Sequence, residues 1–133
     1  MMKAASKKLI EKFSRYHLSF KNAINGISWA LSTQKNFKIH LFFSAIVLVF
    51  ARLFDLTRFE LMLLIICIFF GLGAEMINTA IEAMTDLITN DWKKEAKITK
   101  DISAGMVLVV SLGTIIIGIL IFVPRIVQIF FLF

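Results

Sequence analysis

One cysteine and one proline are all that this chain of 133 residues contains of either. With Cys67 alone, no disulfide can close within the chain and no cysteine-based metal motif exists. Cys67 sits inside an apolar run, where a thiol serves as packing filler or faces lipid. Acidic residues are scarce, nine against fifteen Lys and Arg, which leaves a net charge of +6. Such an excess suits nucleic acid only when a reading motif accompanies a basic surface, and no such motif is present, so no nucleic-acid partner is expected. Neither a Gly-x-x-x-x-Gly-Lys-[Ser/Thr] loop nor a kinase Gly-rich loop occurs, so any nucleotide site must be built differently. A secretory signal is also missing: the basic leader runs into an amphipathic segment, not into an apolar stretch with a small-residue cleavage site.

Apolar residues, by contrast, make up 59% of the chain, with a mean hydropathy of +0.84. That leaves too little polar surface to cover a soluble core, and the apolar runs are long enough to span a bilayer. The chain reads as one integral membrane domain over residues 1–133, all-α. Phe13, Tyr16, Phe20, Ile24, Ile27 and Leu31 recur at spacings of three and four, with Lys12, Lys21, Asn22, Asn25 and Ser28 between them. This predicts an amphipathic helix over about 8–33, lying in the membrane interface with Lys3, Lys7, Lys8 and Lys12 near anionic headgroups. Three spans are expected at about 37–54, 59–88 and 97–123. The second outruns the roughly 20 residues that a bilayer needs, so its Glu82–Asp86 end must approach the membrane surface. Gly105, Ser111, Gly113 and Gly118 offer the third span small residues for close packing. The apolar tail after Pro124 fits a helix or an irregular end equally.

Basic residues orient the chain. Eight lie from the N-terminus through Lys38 at the start of the first span and four between Asp86 and Asp101, against Arg52 and Arg58 around the first connection and one near the C-terminus. This places the N-terminus and the Asp91 connection in the cytoplasm, in a multi-pass membrane protein.

The most informative segment follows the uncharged run from Leu61 to Ala74. At about 100° per residue, Glu75, Asn78, Thr79, Glu82 and Asp86 share roughly a third of the helix circumference. An ionisable group at membrane depth costs at least about 2.5 kcal/mol, so it normally faces a protein or aqueous interior and marks a site. Across the short connection, Lys97, Lys100 and Asp101 lie one turn apart. Carboxylates beside lysines at a cytoplasmic interface suit phosphoryl transfer, in which Mg²⁺ bridges phosphate oxygens, a lysine offsets their charge, and a carboxylate takes the proton of an attacking hydroxyl.

The string Glu75-Met-Ile-Asn78-Thr79-Ala80-Ile81-Glu82-Ala83-Met-Thr-Asp86, with Ala96-Lys97-Ile-Thr-Lys100-Asp101 and then Ala104-Gly105, resembles the signature of the small bacterial integral-membrane diacylglycerol kinases and undecaprenol kinases. The resemblance extends from Ser19-Phe-Lys-Asn-Ala-Ile-Asn-Gly26 through Asn36-Phe-Lys-Ile-His40 to the third span. It implies a homotrimer of three-span subunits, each with a surface helix, that transfers the γ-phosphate of ATP to a lipid hydroxyl with Mg²⁺ as cofactor. By the same resemblance Glu75 is the general base and Asn78 orients the reacting groups. Glu82 is a metal ligand, Lys100 meets the nucleotide phosphates with Asp101 beside it, Asp91 is the acidic residue near the nucleotide, and Arg15 is a further nucleotide contact. One position departs from the family pattern. Where the family has a metal-ligating Glu before the first span, this chain reads Thr33-Gln34-Lys35-Asn36-Phe37, so Gln34 offers the cation a carbonyl oxygen without a charge.

The expectation is therefore an ATP- and Mg²⁺-dependent lipid kinase. Asn36-Phe-Lys-Ile-His40 and Asn78-Thr79 favour undecaprenol over diacylglycerol as acceptor. A non-catalytic oligomer that lost metal binding through Gln34, and a proton relay along the polar stripe, are the rival readings.

Overall fold

The computed structural model describes residues 19–131. They divide into two units between Lys35 and Asn36. In the first, residues 19–33 form helix α1, and Phe20, Ile24, Ile27 and Leu31 on its apolar side are all exposed. The remainder of the helix expected over about 8–33, including Arg15, lies outside the described residues.

Three further helices follow: α2 (Lys35–Leu53), α3 (Arg58–Ile88) and α4 (Lys94–Phe131). Each is long and apolar enough to cross a membrane, and most of their large apolar side chains are exposed. A chain solvated by lipid can leave such surface uncovered, because hydrocarbon is as apolar as leucine. Among the described residues there is no strand, as expected where each span must satisfy its own backbone. The chain is an all-helical membrane protein. α4 continues through Pro124 to Phe131, past the expected end at 123. Pro124 gives no N–H to the preceding turn, but an unpaired backbone in lipid would cost more than a strained helical turn, and Ile126, Val127 and Ile129 are as apolar as the span before them.

α3 and α4 run antiparallel, as their pairings show: Asp86 meets Lys100, Asn78 meets Ser103, and Glu60 meets Arg125. The end bearing Glu60 is closed by local chemistry. α2 ends with Asp55 in the left-handed region at φ 46°, where an aspartate is tolerated better than most residues. Leu56 N–H then reaches Ala51 O at 3.1 Å and Asp55 N–H reaches Arg52 O at 3.3 Å, the pairing of a Schellman ending. This turns Leu56 back onto a small core of Ala51, Leu64 and Ile121. Thr57 next caps α3 through a reciprocal box: its backbone N–H donates to Glu60 Oε2 at 2.9 Å, and its hydroxyl accepts from Glu60 N–H.

Glu60 does double duty, because Arg125 grips the same carboxylate with Nη1 at 2.7 Å and Nη2 at 2.5 Å. A guanidinium fork matches a carboxylate in a way that an ammonium cannot. Arg125→Ala is therefore expected to lower the melting temperature in detergent, with Arg125→Lys in between. Thermal unfolding followed by circular dichroism measures it, and an unchanged transition would make the pair incidental.

Candidate active site

The inward stripe of α3 changes character along its length. Leu64, Ile68, Gly71 and Leu72 line an apolar cavity of about 440 Å³, which α2 closes with Phe43 and Val47 and α4 with Ser111, Thr114, Gly118 and Phe122. Of the three hydroxyls on its wall, those of Ser44 and Thr114 are spent on their own helices, Ser44 donating to His40 O at 2.7 Å and Thr114 to Val110 O at 3.0 Å. At Glu75 the stripe becomes polar.

Glu75 is only 3% exposed. Among the described residues no group donates to its carboxylate, and no buried side-chain oxygen is sealed without a partner, so the carboxylate keeps a narrow opening. Thr79, one turn on, returns its hydroxyl to Glu75 O at 2.9 Å. A buried carboxylate without an internal donor is costly unless something outside the chain meets it.

One turn further, a polar chain crosses between the helices. Ser103 Oγ on α4 donates to Asn78 Oδ1 at 2.6 Å, and Asn78 Nδ2 donates to Glu82 Oε1 at 2.9 Å. Ser103 and Asn78 are both buried, while Glu82 is half-buried. Glu82 Oε2 has no partner among the described residues, which leaves one hard oxygen donor for a cation. No group of three His, Cys, Asp or Glu side chains gathers to hold a metal among the described residues. A Mg²⁺ bound through Glu82 would complete its shell with water and phosphate oxygens, the usual arrangement for this ion at a phosphoryl-transfer site. Gln34 belongs to the other unit, where it is half-buried and its Nε2 donates to Thr33 Oγ1 at 3.3 Å.

At the end of α3 a second cavity, of about 470 Å³, is charged. Asp86, Asp91, Trp92, Lys97, Lys100 and Asp101 are among its lining residues. The connection that forms its floor is held by Thr89, whose N–H bonds Thr85 O at 3.1 Å and whose hydroxyl accepts from Asp91 N–H at 3.2 Å. Lys100 Nζ meets Asp86 Oδ1 at 2.5 Å across the two helices, half-exposed, and Lys97 pairs with Asp101 one turn on. An ammonium has three donors, so Lys100 keeps two for a ligand while Asp86 anchors it.

The geometry thus brings Asp91, Lys100 and Asp101 to one cavity and links Asn78 with Glu82. Glu75 stands between the apolar and charged regions, and Arg15 lies outside the described residues. Sequence reasoning missed Ser103, Trp92 and the role of Asp86. For Ser103 the one available signal was its place one turn after Lys100, a hydroxyl at the start of an apolar run.

A membrane-embedded helical protein with a buried carboxylate between an apolar and a charged cavity is the class that this fold and site define. Residues 21–122 match the model of the prokaryotic diacylglycerol kinases, and the chain belongs to that family, a family of lipid kinases. It is 37% identical to an undecaprenol kinase of Bacillus subtilis over 86% of this chain and 93% of that protein. It is 35% identical to a diacylglycerol kinase of Synechocystis over 76% of this chain and 58% of that protein. The enzyme is a lipid kinase with ATP as co-substrate.

Proposed function

We propose that this chain phosphorylates a membrane lipid alcohol, undecaprenol in the first place, at the cytoplasmic face of the bacterial cell membrane, with Mg²⁺ and as a homotrimer. The observation that carries the reading is the position of Glu75. On one side of it the inward stripe of α3 lines an apolar cavity fit for a hydrocarbon chain. On the other it leads through Asn78 and Glu82 to a cavity of lysines and carboxylates fit for a nucleotide. A lipid seated along Leu72, Ile68 and Leu64 would present its hydroxyl at Glu75. The twelve Lys and Arg at the N-terminal and Asp91 side, against three elsewhere, support the cytoplasmic orientation.

In the reaction the lipid hydroxyl oxygen attacks the γ-phosphorus as the bond from that phosphorus to the β-bridging oxygen breaks, and ADP leaves. Glu75 takes the hydroxyl proton and later returns it to water. Lys100, held by Asp86, offsets phosphate charge with its remaining donors, and Asp101 keeps Lys97 beside it. Asp91 lines the same cavity. Asn78 fixes Glu82, which together with Gln34 would hold Mg²⁺. That ion, when bound, draws charge from the phosphate oxygens.

The greater share of the undecaprenol kinase that the chain covers, and the stretch Asn36-Phe-Lys-Ile-His40, favour undecaprenol over diacylglycerol. Transfer of radiolabel from [γ-³²P]ATP to purified protein with undecaprenol, with diacylglycerol and with neither decides it. Faster labelling of undecaprenol is expected. Faster labelling of diacylglycerol would reverse the substrate, and labelling of neither would overturn the proposal.

The apolar cavity makes a second prediction. A Cβ at Gly71 meets nothing within 4 Å and the residue lines the cavity, so Gly71→Leu begins in open space and narrows the cavity. The Michaelis constant for the lipid should rise about tenfold, which corresponds to about 1.4 kcal/mol of lost apolar contact, while that for ATP stays level. An unchanged lipid constant would remove the cavity from substrate binding.

A further inference from the structure

Ser103 carries no role in the reading above, yet it is among the most enclosed polar side chains of the described residues, 3% exposed. Its hydroxyl has two acceptors in reach, Asn78 Oδ1 at 2.6 Å and Lys100 O at 2.9 Å, and one proton to give. The geometry determines where the proton goes. A carboxylate that carries its charge only accepts, so Glu82 obliges Asn78 to turn its Nδ2 towards Oε1. Asn78 Oδ1 then faces Ser103, and a buried amide oxygen without a donor is costly. Lys100 O, inside α4, already accepts a backbone N–H. The proton therefore lies on the shorter contact, and the order of donors runs one way, from Ser103 to Asn78 to Glu82.

We propose that Ser103 is a positioning residue of the kinase: by donating to Asn78 it locks the amide, and through the amide holds Glu82 Oε1 so that Oε2 stays presented to the site. The only side-chain route from α4 to Glu82 among the described residues is this one. It also explains why a hydroxyl sits at the buried start of an apolar span. Asn78 is thereby engaged at both ends, by Ser103 and by Glu82, and acts on the substrate through Glu82. The inference rests on Glu82 belonging to the site, and the test separates the two.

The side-chain amide of Asn78 reports the first link. In protein labelled with ¹⁵N-asparagine, its resonances are identified by their loss in Asn78→Ala. Ser103→Ala should move or broaden them, and Ser103→Thr, which keeps the hydroxyl, should restore them. The second link is read in turnover: Ser103→Ala is expected to lower kcat about tenfold, the worth of one buried hydrogen bond to a group in contact with a charge, with the Michaelis constant for ATP little changed. In an Asn78→Ala background the same substitution should have no further effect on kcat, because its route is gone. A serine that only packed the helices would cost the same in both backgrounds. Ser103→Cys, close in size and a weak donor, serves if the alanine variant fails to assemble, and should fall between Ala and wild type. Amide resonances that do not move would overturn the hydrogen bond. Resonances that move while kcat holds would show that Glu82 is outside the site, and would overturn the positioning role with it.

Discussion

Glu75→Gln is expected to lower turnover by about 10²–10⁴, the range that a positioned general base contributes, while the helices stay assembled. The substitution is nearly isosteric, and Glu75 is 3% exposed with no donor to its carboxylate among the described residues, so no internal hydrogen bond is lost. The new amide brings two donors to a buried place, a cost that bears on stability more than on the barrier. An amide cannot take the proton of the attacking hydroxyl, and the transition state loses that transfer. Single-turnover phosphorylation of the lipid in detergent, with assembly checked by size exclusion, measures the effect. Near-normal turnover in an assembled Glu75→Gln protein would remove Glu75 from the chemistry.

Much of this arrangement can be read from residue spacing, and the rest cannot for identifiable reasons. The stripe of Glu75, Asn78, Thr79, Glu82 and Asp86 follows from helical period alone, because a costly carboxylate in an apolar run has to face inward. The Lys97–Asp101 pair is likewise a four-residue step on one helix. The start of α3 expected at about 59 on apolarity alone falls at Arg58, where Thr57 and Glu60 form a capping box. What escapes is whatever joins distant segments. Arg125 finds Glu60 across 65 residues, and Ser103 finds Asn78 across 25. Both depend on the relative register of α3 and α4, which the short Thr89–Lys93 connection permits but does not dictate. The tail after Pro124 escaped for another reason. A proline rule learned from water overstates the tendency of a helix to stop in lipid, where the alternative is an unpaired backbone.

The two pairings also divide α3 by task. Its Glu60 end is fixed by a cap and a bidentate ion pair, a rigid closure far along the helix from Glu75. Its Asp86 end is held by Lys100, half-exposed and single-stranded in its bonding, where a ligand can compete. A binding region is expected at the less constrained end, since loops and elements that respond to ligands come from the low-stability part of a fold.

The cation is the sharpest test of that end. Glu82 offers one oxygen to Asn78 and has the other open. Glu82→Gln would put a neutral amide there, able to present either a carbonyl oxygen or an NH₂ group, and Asn78 Nδ2 would compete for the carbonyl. Mg²⁺ is small and hard, and is held by one or two carboxylates together with substrate phosphates. With Gln34 already neutral at the other expected ligand position, Glu82→Gln leaves the protein no charged ligand to add to the substrate phosphates, and turnover should be abolished at any practical Mg²⁺ concentration. Gln34→Glu acts in the opposite sense. A second carboxylate would lower the Mg²⁺ concentration needed for half-maximal rate, and the double variant Gln34→Glu/Glu82→Gln should regain part of what the single Glu82 change removes, because one charged ligand is restored. Initial rates against Mg²⁺ at saturating ATP, for the four proteins, measure this. An unshifted curve in Gln34→Glu would place residue 34 away from the cation. A Glu82→Gln protein with the wild-type Mg²⁺ dependence would do the same for Glu82, and would leave the open oxygen beside Asn78 without a ligand to meet.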